Sequence, residues 1–221
     1  MENRTAIIFG STGLIGNLLL EKLLASEQYN SVKIFVRQST EIILPEVSEF
    51  IVDFQEIASF EEKITGDDLF ICLGTTIKKA GSIKKMEEID RDLPGSIAEA
   101  ALKNGVKRVA VVSSIGANSS SSNYYLRIKG EMENEILKCK FENIAIVRPS
   151  MLLGNRKEKR GGESVGKIAM KFFNPLLTGK MKKYRSIDAK DVATAMISLL
   201  SRDQVKAIYE SDELQLIANR N

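Results

Sequence analysis

The stretch from Thr5 to Leu24 reads TAIIFGSTGLIGNLLLEKLL, and it joins two kinds of periodicity across a short glycine-rich link. Residues 5–9 are an almost unbroken apolar run that stops at Gly10, the pattern of a strand buried on both faces. From Gly13 onward the leucines fall at helical spacing, so GLIGNLLLEKLLAS is expected to be a helix. Gly10, Gly13 and Gly16 recur at every third position between the two. Glycines at such a turn let the backbone approach a pyrophosphate closely, and the start of a helix offers free N–H groups and a favourable dipole. Gly10, Ser11, Thr12, Gly13, Leu14, Ile15 and Gly16 are therefore the candidate phosphate loop. A glycine triplet alone is weak evidence; the strand before it and the helix after it make it specific. A tight strand-to-helix turn without a ligand is the competing reading.

Outward from this unit the alternation continues. SVKIFVR, EFIVDF and DDLFICLG read as the second to fourth strands, and GSIAEAALKNG as a helix stopped at Asn104-Gly105. VKRVAVVSSIG reads as a fifth strand, YYLRIKGEMENEILKC as a long helix and FENIAIVRPS as a sixth strand. Strands rich in Ile, Val and Phe that alternate with helices predict an α/β fold. Right-handed crossovers make it a doubly wound parallel sheet, a Rossmann fold. The length of 221 residues fits a single NAD(P)-binding Rossmann domain spanning 1–221. After Pro149 the pattern breaks: between Arg156 and Arg185 ten Lys and Arg face two Glu. Within SVGKIAMKFFNPLL, Lys167 and Lys171 lie one turn apart beside an apolar stripe. Residues 155–186 are expected to be a basic lid, a small C-terminal substrate-side segment, with contact to a membrane surface or protein as the rival reading. DAKDVATAMISLLS then returns to helix with Asp188 as its N-cap.

The residues that end the strands form the candidate cofactor wall, because ligands of such sheets bind at the carboxyl edge. The second strand ends in Arg37, where an NAD-selective site would carry Asp or Glu. A guanidinium pairs with a 2′-phosphate through two parallel hydrogen bonds, so NADP(H) is expected ahead of NAD(H). Asp53 and Phe54 end the third strand, placed to meet an adenine, and Leu73, Gly74, Thr75 and Thr76 end the fourth, where they let a cofactor lie against the backbone. Both groups equally suit turn chemistry. Ser113 ends the fifth strand, and Arg148, Pro149 and Ser150 the sixth, completing the candidate set.

The chain contains no histidine, so proton chemistry near neutral pH needs another group. Tyr125 and Lys129 stand one helical turn apart, on one face of the expected long helix. A phenol has an ordinary pKa of about 10, and a neighbouring ammonium favours its ionised form. Tyr125 is the candidate proton donor or acceptor, Lys129 its partner and a ligand for the nicotinamide ribose, and Ser114 the candidate hydrogen bond to the substrate oxygen. Ser113 and Ser114 are not separated by this reasoning. The pair alone is weak, since a Tyr packing and a Lys solvated four apart occur on many helices.

Composition narrows the classes. With 43% hydrophobic and 28% charged residues and a formal charge of +3, the chain reads as globular, and neither the charge nor a motif points to nucleic acid. MENRTAIIFG has no basic n-region or cleavage site, and no apolar run approaches the length of a membrane span. Cys72 and Cys139 lack metal spacing, so no metal site is expected, and unpaired thiols suggest a reducing compartment, here expected to be the cytoplasm.

GSTGLIG, Ser113-Ser114 and the YxxxK of YLRIK together resemble the short-chain dehydrogenase/reductase superfamily, in its extended and atypical branches. CLGTTIKKAG, EIDRDLPGSIAEAALKNGVKR, VVSSIGANSSSSNYYLRIKGEME and VRPSMLLGNR are similar to the Tat-interacting-protein group of atypical reductases, over a span from Ile7 to about Met196. The resemblance implies a Rossmann fold, NADPH in the glycine loop, and Ser114, Tyr125 and Lys129 in catalytic positions. Asp90 falls where many relatives keep an asparagine that organises a proton relay. The expected function is an NADP(H)-dependent oxidoreductase acting on a carbonyl or hydroxyl of a small molecule. The alternatives are a cofactor-binding regulator with a protein partner, since the group includes such members, and an epimerase or dehydratase with tightly held cofactor. A homodimer is expected from the habits of the superfamily.

Overall fold

Alternation in the first strand sets up two cores. In β1 (Arg4–Phe9), Ala6 and Ile8 point to one side and Ile7 and Phe9 to the other, and all four are fully buried. A strand can bury both faces only if helices cover both, and the computed structural model, which describes residues 3–154, 177–202 and 206–220, shows this arrangement. One face is covered by α1 (Leu14–Leu24), whose Leu19, Leu20 and Leu23 pack on Ile8 and Ile34. Two later helices, α6 (Ala189–Leu200) and α7 (Ser211–Ala218), share that core through Val192, Met196, Leu199 and Leu214. The other face is covered by α4 (Leu93–Lys103) and α5 (Tyr124–Lys138), with Ile97, Ala101, Met132 and Ile136 against Phe9, Leu69 and Ile71. Phe9, Phe35 and Phe50 stack across three strands, at 4.6 and 4.9 Å between ring centres.

The sheet has seven parallel strands among the described residues. In chain order they are β1, β2 (Tyr29–Val36), β3 (Val47–Ile51), β4 (Asp68–Ile71), β5 (Arg108–Val112), β6 (Asn143–Arg148) and β9 (Ile208–Glu210). In space they run β3-β2-β1-β4-β5-β6-β9. The order reverses between β1 and β4, and that switch point opens a crevice at the carboxyl edge. A separate two-stranded ribbon pairs β7 (Leu152–Leu153) with β8 (Ile187–Asp188).

The sequence reading is corrected in detail. The third strand stops at Ile51 rather than Phe54, because the Asp53 carboxylate accepts the Gln55 amide at 2.9 Å and turns the chain. The fourth stops at Ile71. The last strand, Ile208–Glu210, and the helix after it were not read from the sequence; three residues carry no periodicity, and the helix starts with a capping box between Glu210 and Glu213. Asp188 caps α6 as expected, accepting the Lys190 amide at 2.8 Å. Most of the basic segment, residues 155–176 with Lys167 and Lys171, lies outside the described residues.

The amino edge of the sheet is closed by its own strand starts. Arg4, Tyr29, Asp68 and Arg108 each open a strand and converge. The fully buried Asp68 carboxylate accepts the Tyr29 hydroxyl at 2.6 Å and the Arg108 Nε, with Arg4 Nη1 3.7 Å away.

Candidate functional site

The glycine loop is shaped by what its residues lack. Gly10 has φ +87°, and a Cβ on it would lie 2.7 Å from the Cys72 carbonyl oxygen. The register of β1 with β4 forces this approach: Phe9 pairs with Ile71, and the Cys72 amide donates to the Phe9 carbonyl at 2.8 Å. A Cβ on Gly16 would lie 2.1 Å from the Gly10 oxygen, so α1 can seat on the loop only with glycine there. Gly13 begins α1 with no side-chain cap, leaving the first-turn N–H groups uncovered. Ser11 is 3% exposed, and its buried hydroxyl has no hydrogen-bond partner among the described residues. A buried hydroxyl without a partner is costly, and a phosphate oxygen would satisfy it. Loop and hydroxyl together fit a dinucleotide.

The crevice above this loop has a volume of about 2160 Å³. Gly10, Ser11, Thr12, Gly13, Leu14 and Ile15 line it on one side, with Arg37, Asp53 and Phe54 at one end. Leu73, Gly74, Thr75, Ser113, Ser114, Tyr125, Lys129, Pro149 and Ser150 also face it. Three expected residues do not. Gly16 supports the loop from beneath. Thr76 starts a short helix, α2 (Ile77–Ala80), its hydroxyl accepting the Lys79 amide. Arg148 is turned away, its guanidinium clamped on Glu133 at 2.8 and 2.5 Å. Arg37 is exposed, with no side-chain partner among the described residues.

Local sequence puts Tyr125 in place. The Asn123 side chain accepts the amides of Tyr125 and Leu126, so α5 starts at Tyr124 and Tyr125 sits in its first turn. A Cβ on Gly130 would lie 2.2 Å from the Ser119 amide nitrogen, so this glycine lets the serine-rich loop cross α5 and return to Tyr125. The two serines now separate. The Ser113 hydroxyl donates to Glu133 at 2.5 Å and is committed to the Glu133–Arg148 cluster. Ser114 makes only a 3.5 Å contact with its neighbour's carbonyl, and its hydroxyl is available to the crevice.

Lys129 is not a bare cation. It is 3% exposed, and its ammonium is 2.8 Å from Asp90, whose side chain is wholly buried. Burial works to lower the lysine pKa, but Asp90, Tyr125 and Glu133 outweigh it and hold the group above the usual lysine range. Asp90 reaches this spot from a π-helical turn, Glu88–Asp92, between α3 (Ile83–Glu87) and α4. Pro94 explains the widening: it has no N–H to bond the Asp90 carbonyl four residues back, and its ring crowds that carbonyl.

Other crevice residues, among them Cys72, Lys85, Glu88, Asp92, Ser96 and Asp188, escaped the sequence reading. Cys72, Glu88, Asp92 and Ser96 lie within the stretches that carry the family resemblance, but neither residue type nor spacing marked them for the site. Cys72 is half-buried, and desolvation pushes its thiol up to about 12.

The chain matches the NAD(P)H-binding family over residues 10–203. It is 34% identical over 204 residues to protein HTATIP2 of Rattus norvegicus, covering 90% of this chain and 82% of that one. It is 31% identical over 229 residues to the mitochondrial protein FMP52 of Candida albicans, covering 97% and 98%. Among solved structures, WbmH of Bordetella bronchiseptica in complex with NAD+ superposes with a TM-score of 0.72 at 14% identity, covering 95% and 76%. A UDP-N-acetylglucosamine 4-epimerase of Methanobrevibacter ruminantium gives 0.71 at 14%, covering 98% and 81%. At such identity the likeness concerns the fold. The expected cytoplasmic location is corrected by the relatives: FMP52 proteins of several fungi, Candida albicans among them, are named mitochondrial. Unpaired thiols suit any reducing compartment, so they never separated the two.

Proposed function

The chain belongs to the NAD(P)H-binding family, in the HTATIP2 group of atypical short-chain dehydrogenases/reductases, and we propose that it is an NADPH-dependent reductase of a small carbonyl compound. The observation that carries this reading is that one crevice is lined both by the glycine loop and by Ser114, Tyr125 and Lys129. The glycine loop, the uncapped start of α1 and the Ser11 hydroxyl would hold the pyrophosphate. Arg37, exposed at the end of β2, would select the 2′-phosphate. Bound NADPH supplies the hydride. Ser114 would hold the substrate oxygen and Tyr125 would deliver its proton, while Lys129 keeps the ribose and the phenol in register.

Tyr125→Phe tests the reading. Turnover of carbonyl substrates, followed through NADPH absorbance, should fall by about 10²–10⁴-fold, the worth of a general acid. NADPH affinity should stay close to that of the unaltered protein. Unchanged turnover would remove the phenol from the mechanism and favour a cofactor-binding regulator.

A further inference from the structure

Asp90 is held as tightly as it holds. One oxygen lies 2.8 Å from Lys129 Nζ and the other accepts the Thr75 amide at 2.9 Å, so a single carboxylate ties the loop after β4 to α5. Gly74 lies over the pair: a Cβ there would stand 3.4 Å from Asp90 Oδ1 and 3.9 Å from Lys129 Nζ. With no side chain at that position, the backbone passes close over the pair, which borders the crevice while remaining almost wholly buried.

We propose that Asp90 is a positioning residue of the reductase site, which locks the Lys129 ammonium to the Thr75 backbone and balances its charge, so that Tyr125 exchanges its proton beside an ion pair rather than beside a lone cation. The inference rests on the reductase reading above. The surrounding charges support it. Lys129 is faced by Asp90 from the π-helical turn and by Tyr125 and Glu133 from its own helix. Glu133 is neutralised in turn by Arg148 of β6 and also accepts the Ser113 hydroxyl after β5. The other charges of the turn are engaged elsewhere, Arg91 with Asp92 and Glu131, and Glu88 with Lys85. Two cations, Lys129 and Arg148, and two carboxylates, Asp90 and Glu133, therefore pair with no excess of either sign. A lone ammonium would favour the phenolate strongly, and a carboxylate in contact with it cancels most of that effect.

Asp90→Asn removes the balancing charge and keeps the shape and an acceptor for Thr75, whereas Asp90→Ala strands a buried cation. Three measurements on the full chain decide the matter: the pH–rate profile with NADPH and a carbonyl substrate, acetylation of Lys129 by acetic anhydride mapped by mass spectrometry, and NADPH titration. In Asp90→Asn the limb of the profile that reports the phenol should move to lower pH by about one unit. In Asp90→Ala turnover should fall by roughly a hundredfold or more, as expected when a buried ion pair loses one partner. Lys129, shielded in the unaltered protein, should become readily acetylated there. A limb that stays in place in Asp90→Asn overturns the proposal, whatever happens to total activity. If the unaltered protein binds NADPH but turns nothing over, the reductase reading fails by itself. Lys129 acetylation then decides the positioning role, and equal shielding in all three proteins overturns it.

Discussion

The two edges of the sheet each bury a carboxylate among cations, and they differ in what is left over. At the amino edge, Asp68 takes a hydroxyl and a guanidinium, with a second guanidinium close by, and every contributing residue is the first of its strand. At the carboxyl edge, Asp90 takes one ammonium and one backbone amide, and the pair lies under a glycine rather than a side chain. Close by, the Ser11 hydroxyl has no partner among the described residues and the first turn of α1 has no side-chain cap. The same chemistry joins four strand starts at one end and, at the other, stands beside the glycine loop and the crevice. Polar groups satisfied within the chain stabilise a fold; polar groups held in place but unsatisfied wait for a ligand.

Three changes test that contrast. Asp68→Ala should have the largest effect, because it removes the carboxylate that the Arg108 guanidinium and the Tyr29 hydroxyl share, with little water around them. Loss of one partner from such a cluster costs about 3–5 kcal/mol, read in urea unfolding. NADPH affinity of the folded protein should not move, and a parallel loss of affinity would mean that the two edges act as one unit. Arg37→Ala should do the reverse. Its guanidinium has no side-chain partner among the described residues, so stability should hold. NADPH affinity should drop by roughly 10- to 100-fold, the worth of a charge-assisted contact of about 1.5–3 kcal/mol, with NADH affinity unchanged. Equal loss for both cofactors would detach Arg37 from the 2′-phosphate.

The smallest effect concerns Cys72, which lies at the crevice beside Gly10. Burial raises its thiol from 9.0 to about 12. A raised pKa stabilises the fold fully below the ordinary thiol value, and that contribution fades as pH climbs toward 12. Cys72 should therefore resist iodoacetamide at pH 8 in the folded protein and react at an ordinary rate in urea. Fast alkylation of the folded chain would show the carboxyl edge to be wetter than its packing implies.

The parts of the site that were legible share a feature: each is local. The glycine loop and the Tyr125–Lys129 spacing are read within one turn or one strand end. The errors share the opposite feature. Arg148 was placed on the cofactor wall because it ends a strand, but Glu133 holds it from 15 residues away in sequence. Ser113 and Ser114 looked equivalent until the same glutamate claimed one of them. Thr76 looked like wall and proved to be a helix cap.

Apolar alternation and glycine spacing by themselves determined a parallel doubly wound sheet with a phosphate-binding turn at β1, because both signals are periodic and act over a few neighbouring residues. Only the packed molecule decided that Asp90 meets Lys129 and that the amino edge closes on Asp68. Those contacts join residues about 40 positions apart, and a buried charge selects its partner by what else packing has brought within reach.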